Sequence, residues 1–264
     1  MQEIEFKFQV PVKKRKALQK AFTLLKAEPI HLAAQYFDTA DQTLAKHCIA
    51  IRRRQENDEW KQTFKAVNSA KVLSRLELEF DIAPPETTTL DLDNYKKDYS
   101  AIYKKLKRAL GLPLPTLELL FETNIQRLRV LQDVGNSTVE IALDIGKIFK
   151  EQNSVDIFEI EFELKQGSIE DLIAFIRPWV QKYQLSLDTH SKSDYGLLAV
   201  RQQSSFSAQY QTPLVLNRSS SEVEALQSIV ANCLQHLLPN ASSIARQQYS
   251  TEHVHQARVA IRRL

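Results

Sequence analysis

Apolar and charged residues alternate one for one in several separate stretches of this chain, the period-2 pattern of strands with one buried face. Near the N-terminus Ile4, Phe6 and Phe8 alternate with Glu3, Glu5 and Lys7. In "RLELEFDI" Leu76, Leu78 and Phe80 oppose Arg75, Glu77 and Glu79, and Pro84-Pro85 end the strand. In "DIFEIEFELKQG" Phe158, Ile160, Phe162 and Leu164 oppose Glu159, Glu161, Glu163 and Lys165. "HLAAQYFDT" reads as a further strand. Two hairpins are also predicted. "IAIRRRQENDEWKQTFKAV" turns at Glu56-Asn57-Asp58 and sets Arg52 and Arg54 on one arm, Thr63 and Lys65 on the other. "ETNIQRLRVLQDVGNSTVEIALDIG" turns at Gly135-Asn136, with Arg127 and Arg129 on its first arm and Glu140 and Asp144 on its second.

Helical periodicity fills the spaces between strands. Pro11 opens an amphipathic helix running to about Lys26, with Ala17, Leu18, Ala21, Phe22 and Leu25 on one side. "DYSAIYKKLKRALG" predicts a helix stopped by Gly111, and Ser168 with Asp171 starts another that Pro178 should kink. "RQQSSFSAQYQTP" is polar and turn-rich. The chain therefore divides into residues 1–203, a linker at 204–213, and a helical piece at 214–264. Ser221 and Glu224 form a capping box for a helix carrying Val223, Leu226, Val230, Cys233 and Leu237. A last helix begins near Ser250 and still runs at Leu264, so the second domain looks cut short.

The wet faces change the picture. A half-solvated sheet would carry Ser, Thr and Gln among its charges, whereas here almost every such position is a full charge, Glu-rich on some strands and Arg/Lys-rich on others. The net charge of +3 conceals this, because it is the difference between 35 basic and 32 acidic residues. The expected fold is α+β: a closed antiparallel β-barrel, a tunnel with a charged interior and flanking helices, followed by a short α-helical C-terminal segment. Buried ions need counter-charges. Arg and Lys clusters suit phosphate, and carboxylate clusters suit a hard divalent cation. A metal–polyphosphate tunnel and a barrel of internal salt bridges both satisfy this pattern.

Glu3-x-Glu5-x-Lys7 resembles the ExExK signature of the CYTH family, the triphosphate tunnel metalloenzymes. "YFDT" at Tyr36 to Thr39, "IRRR", "TFK" ending in Lys65, "RLE" at Arg75 to Glu77, Arg127 with Arg129, "VEIALD", "EIEFEL" and Ser191-Lys192 follow in the family's order, over residues 1 to about 200. Thr63 departs from it, since many members carry a second basic residue there. "HVHQARVAIRRL" resembles the opening helix of CHAD domains, polyphosphate-binding helical bundles. His255, Arg258 and Arg262 form one stripe on this helix, and Val254, Ala257, Ile261 and Leu264 an apolar one.

The resemblance implies hydrolysis of inorganic triphosphate to pyrophosphate and phosphate. It implies that Lys7, Arg52, Arg54, Lys65, Arg75, Arg127, Arg129 and Lys192 hold phosphate, with Lys7 alternatively neutralising carboxylates. It further implies that Glu3, Glu5, Glu159, Glu161, Glu163 and Asp144 hold one or two Mg²⁺ or Mn²⁺ ions. Lys65, Arg52, Arg54 and Glu5 are the expected catalytic set, and inorganic triphosphate or polyphosphate the expected partner. Relatives that act on thiamine triphosphate or cyclise ATP, and a non-catalytic polyphosphate-binding module, are the rival readings. Glu77, Glu79 and Glu163 serve equally well as salt-bridge partners of tunnel cations. Two cysteines, Cys48 and Cys233, exclude a disulfide framework, and no 18-residue apolar run or Walker-type loop occurs. The expected compartment is the cytoplasm. Lys13 to Lys16 read as a solvated helix face rather than a nucleic-acid site.

Overall fold

Charged–apolar alternation pairs into a ten-stranded antiparallel sheet. The computed structural model describes residues 4–67, 75–90, 92, 95–96, 99–216 and 220–264; Glu3 and the side chain of Arg75 lie outside the described residues. The strands are β1 (Glu5–Gln9), β2 (Glu28–Asp38), β3 (Ile49–Glu56), β4 (Glu59–Val67), β5 (Arg75–Ile82), β6 (Thr89–Leu90), β7 (Leu117–Val134), β8 (Ser137–Lys150), β9 (Asn153–Gln166) and β10 (Ser186–Leu187). Their order is β10-β1-β9-β8-β7-β2-β3-β4-β5, with β6 added alongside β7. Both expected hairpins form: β3 and β4 turn at Asn57, and β7 and β8 turn at Gly135, each residue at positive φ.

The expected closure into a barrel is not seen. Among the described residues β5 and β10 are the two edges, paired only with β4 and β1. The sheet nevertheless curls strongly. β1 and β4 are six strand spacings apart in the order, roughly 29 Å on a flat sheet, yet Lys65 of β4 acts electrostatically on Glu5 of β1. A cavity of about 580 Å³ occupies the concave side, lined from every strand except β6.

Helices cover the convex side. α1 (Val12–Leu24) and α4 (Ile169–Tyr183) bury Leu18, Phe22, Leu172 and Ile176 against Phe8, Val139, Ile141, Ile160 and Phe162. α2 (Thr43–Lys46) and α3 (Ser100–Leu110) bury Leu44, Ile102 and Leu106 against Ile51 and Phe64. α4 runs through Pro178 and is capped by Ser168 Oγ, which accepts from Asp171 N as expected.

The concave face is charged along only part of its extent. Ile30, Leu32, Tyr36, Ile125, Ile148 and Ile157 line the rest, and α5 (Lys192–Val200) packs into it with Tyr195 and Leu198. Gly196 permits this approach, because a Cβ there would fall 2.2 Å from Phe121 Cε2. Phe121 cannot retreat, being stacked on Tyr36 at 4.5 Å. Gly196→Ala is therefore expected to cost about 1–3 kcal/mol by overpacking, measured by urea unfolding.

α6 (Glu222–Ala245) begins with the expected Ser221–Glu224 capping box. α7 (Thr251–Ile261) turns a different face inward from the one its apolar stripe predicts. His253, Gln256, Ala257 and Ala260 are buried, while Val254, Ile261 and Leu264 are exposed. These polar residues are partly satisfied locally, for His236 of α6 meets Gln256 Oε1 at 2.8 Å and Gln256 donates to Glu252, while His236 Nδ1 and His253 Nε2 have no hydrogen-bond partner among the described residues. His255, Arg258 and Arg262 stand on the exposed side.

Candidate active site

Register brings the charged side chains together. Glu159 lies opposite Asp144, Glu161 opposite Ala142 and Lys7, and Glu163 opposite Glu140 and Glu5. Since residues two apart share a strand face, β8 and β9 carry a line of carboxylates into the cavity wall. Oxygens of Asp144, Glu159 and Glu161 lie within 4.8 Å of one another.

Three cations are interleaved with them. Arg127 grips Asp144 with both arms of its fork, Nε–Oδ1 at 2.6 Å and Nη2–Oδ2 at 2.7 Å, and reaches Glu161 Oε2 at 2.5 Å. Lys192, the first residue of α5, places Nζ 2.6 Å from Asp144, 2.5 Å from Glu159 and 2.8 Å from Glu161. Lys7 Nζ lies 3.6 Å from Glu159 and donates to the His190 carbonyl. Asp144 is fully buried and Glu159 is 2% exposed, and of the three carboxylates Glu161 alone borders the cavity.

Environment separates these carboxyls. Burial opposes charge at Glu161 and Asp144, but Lys192 and Arg127 outweigh it and hold both below the usual range, Glu161 well below. At Glu159 burial prevails over Lys192 and Lys7, and at Glu5 burial and the charge of Glu161 prevail over Lys65 and Lys192. Both are raised. The Lys192 ammonium is desolvated, yet Asp144, Glu159 and Glu161 carry its pKa well up, so it is charged.

The opposite wall is basic. Arg54 reaches Glu79 at 3.2 Å and Glu56 at 3.4 Å, while its buried Nε has no hydrogen-bond partner among the described residues. Among the described residues Arg52 donates to Thr63 Oγ1 at 3.3 Å and to the Tyr36 hydroxyl at 3.4 Å, with Glu77 and Glu79 acting on it electrostatically from further away. Lys65 pairs with Glu77 at 2.7 Å. Glu77 and Glu79 thus occupy the salt-bridge positions allowed for them. Arg129 stands at the rim with Glu28 and Glu56, and Glu163 pairs with Lys165 at 2.7 Å, away from the carboxylate trio.

The structure accordingly gathers Glu5, Lys7, Arg52, Arg54, Lys65, Arg127, Arg129, Glu161, Glu163 and Lys192 about one cavity, with Asp144 and Glu159 just beneath its wall. Asp188 was not anticipated. It follows β10 and its side chain is fully buried. The Tyr195 hydroxyl donates to it at 2.7 Å and the His190 amide at 2.9 Å. Burial opposes its charge, but Lys7 and these donors outweigh burial and hold the carboxyl below its ordinary value. Only the run Leu187-Asp188-Thr189 beside β1 could have signalled it. A depressed carboxyl stabilises above its unfolded pKa of about 3.9, and that contribution fades as the pH falls towards the folded value. Asp188→Asn is therefore expected to destabilise at pH 7 and to differ less from wild type at pH 3, read by urea unfolding at both.

A cavity with fixed cations on one wall and hard oxygen donors on the other can hold a polyanion together with a divalent cation. A family model described as "CYTH domain" matches residues 1–194. The inorganic triphosphatase of Haemophilus influenzae is 32% identical over 206 residues, which is 75% of this chain; the chain spans 55% of that relative's length. Two solved structures share the fold. One is an adenylate cyclase candidate from Bacillus halodurans, with a TM-score of 0.51 and 20% identity over 73% of this chain and 96% of the other. The second is the Hippeastrum adenylyl cyclase candidate HpAC1, described as having a dominant triphosphatase activity, with a TM-score of 0.52 and 19% identity over 76% and 96%. With the family model matching well over half of its length, the chain belongs to the CYTH domain family.

Proposed function

We propose that this chain hydrolyses inorganic triphosphate to pyrophosphate and phosphate inside the curled sheet, which serves as the wall of a tunnel. One observation carries the reading: Arg52, without a carboxylate at ion-pair distance among the described residues, and Arg54, with a buried unpartnered Nε, face a cavity whose far wall holds Glu5 and Glu161. Guanidinium groups with unused donors fit phosphate oxygens. Arg52, Arg54 and Lys65 form the basic wall that orients the substrate and offsets developing charge. Arg127, Lys192 and Lys7 complete it once phosphate competes for their carboxylate partners, with Arg129 as a further contact; Arg75 joins this set on the family resemblance alone. Positioning and electrostatics are the larger part of phosphoryl-transfer catalysis.

The donor set fits a hard divalent cation such as Mg²⁺ or Mn²⁺, being made of carboxylate oxygens without sulfur or imidazole. Glu161 and Glu5 would hold it from the cavity side, Asp144 and Glu159 from beneath, with Glu3 and Glu163 as further acidic ligands. When bound, the ion supplies Lewis-acid neutralisation of phosphate charge and acidifies a water molecule. Glu161 holds Arg127 and Lys192 in register with one another, so the cationic and metal-ligating halves of the site share a residue.

We read residues 1–203 as the tunnel domain, 204–213 as a linker, and 214–264 as the start of a CHAD-like helical domain. The exposed His255, Arg258 and Arg262 stripe would meet polyphosphate. No helix among the described residues is long and apolar enough to cross a membrane, and the proposed compartment is the cytoplasm. Phosphate release from inorganic triphosphate, ATP, thiamine triphosphate and long-chain polyphosphate, assayed side by side with Mg²⁺ or Mn²⁺, tests the assignment. Preference for inorganic triphosphate is expected. Preference for a nucleotide or thiamine ester would move the chain to another activity of the family, and binding of polyphosphate without cleavage would make it a docking module.

A further inference from the structure

The ammonium groups of the carboxylate-bearing wall depend on a short stretch of chain, Leu187 to Tyr195. It carries Asp188, the His190 carbonyl that receives Lys7, and Lys192 itself. Its backbone pairing with the sheet is short, because β10 is only Ser186–Leu187 and, among the described residues, pairs with β1 alone, so side chains do most of the anchoring. Three contacts from beyond residue 203 converge on it. The Phe206 ring stacks on His190 with centroids 3.9 Å apart and planes 3° from parallel. Ser242 Oγ accepts from Thr189 N at 3.2 Å and lies 3.1 Å from Leu187 O, while its own carbonyl accepts from Gln9 of β1 at 3.1 Å. Arg246 lies 4.1 Å over the Tyr195 ring and donates to the Asp156 carbonyl at 3.0 Å. Tyr195 in turn donates to Asp188, the carboxylate beside Lys7.

We propose that Arg246 and Ser242 are positioning residues for the phosphate-binding cations, so that the C-terminal helices set the affinity of the cavity without touching the substrate. This rests on the reading of Lys7 and Lys192 as phosphate contacts. Removing either clamp frees the Thr189–Tyr195 stretch to shift, and both ammonium groups shift with it. Bound geometry is sensitive to such displacements at the sub-ångström scale.

The test is steady-state triphosphate hydrolysis by the full chain as wild type, Arg246→Met, Arg246→Lys and Ser242→Ala. Arg246→Met and Ser242→Ala are expected to raise KM about tenfold with kcat within about twofold, and Arg246→Lys, which keeps a cation over Tyr195, to restore KM. A merely structural role would lower the melting temperature or kcat and leave KM alone; unchanged KM in both variants overturns the proposal. Should the wild type turn over no triphosphate, the functional reading fails separately. Calorimetric titration of triphosphate into metal-free wild type and Arg246→Met then decides. Tenfold weaker binding by the variant supports positioning, and equal affinity, or no binding by either, overturns it.

Discussion

Glu161→Gln is expected to lower triphosphate turnover on the order of 10²–10³-fold, the loss typical of removing one preorganised charge from an active site. Glu161 is the carboxylate of the buried trio that borders the cavity, and it touches both Arg127 and Lys192. Glutamine keeps its shape but supplies a neutral acceptor and an amide that can only donate, set against two donors. The fold should survive, because Arg127 retains its bidentate pair with Asp144 and Lys192 retains Asp144 and Glu159. Turnover and melting temperature measured on the same preparation separate the two effects. Activity within twofold of wild type would remove Glu161 from the site.

Lys192→Met should have the larger effect on stability. It leaves Asp144, Glu159 and Glu161 crowded within 4.8 Å without the ammonium that now sits between them. Breaking a buried ion cluster by removing one partner typically costs about 3–5 kcal/mol. The carboxyls left behind answer by rising in pKa. A folded-state value raised above the unfolded one gives stability present at low pH and lost as the pH rises through it. The deficit should therefore be larger at pH 8 than at pH 5, and Mn²⁺ or Mg²⁺ should recover part of it. Urea unfolding at both pH values, with and without metal, reads all three effects. A deficit under 1 kcal/mol that ignores pH would contradict the counter-ion role of Lys192.

Much of this arrangement was legible in the chain. Strict alternation at Ile4–Phe8, Leu76–Phe80 and Phe158–Leu164 exposed which side chains share a face, because a strand leaves each residue only two sides to choose between. Asn57 and Gly135 marked the hairpins, and Ser168 and Ser221 the helix starts, through local chemistry that needs no tertiary context. What escaped depends on partners distant in sequence. α5 carries no apolar stripe facing one side, since it is buried nearly all round, so nothing in "KSDYGLLAV" announces that it enters the concave face. Asp188 matters only because β10 lies against β1 and next to Lys7. The apolar stripe Val254–Leu264 suggested the wrong inner face for α7, because the buried polar contacts of His253 and Gln256 are specified by α6 and the preceding turn. Barrel closure was inferred from the charge pattern, which requires a shielded concave face but is met by strong curling with β5 and β10 unpaired to one another.

The most direct measurement is ³¹P NMR of inorganic triphosphate incubated with the full chain and Mg²⁺ or Mn²⁺, before and after addition of EDTA. Phosphate and pyrophosphate should appear in equal amounts, and their formation should stop when the metal is withdrawn. Triphosphate that persists unchanged, or cleavage that continues undiminished in EDTA, would contradict a metal-dependent triphosphatase built on Glu161 and the basic wall.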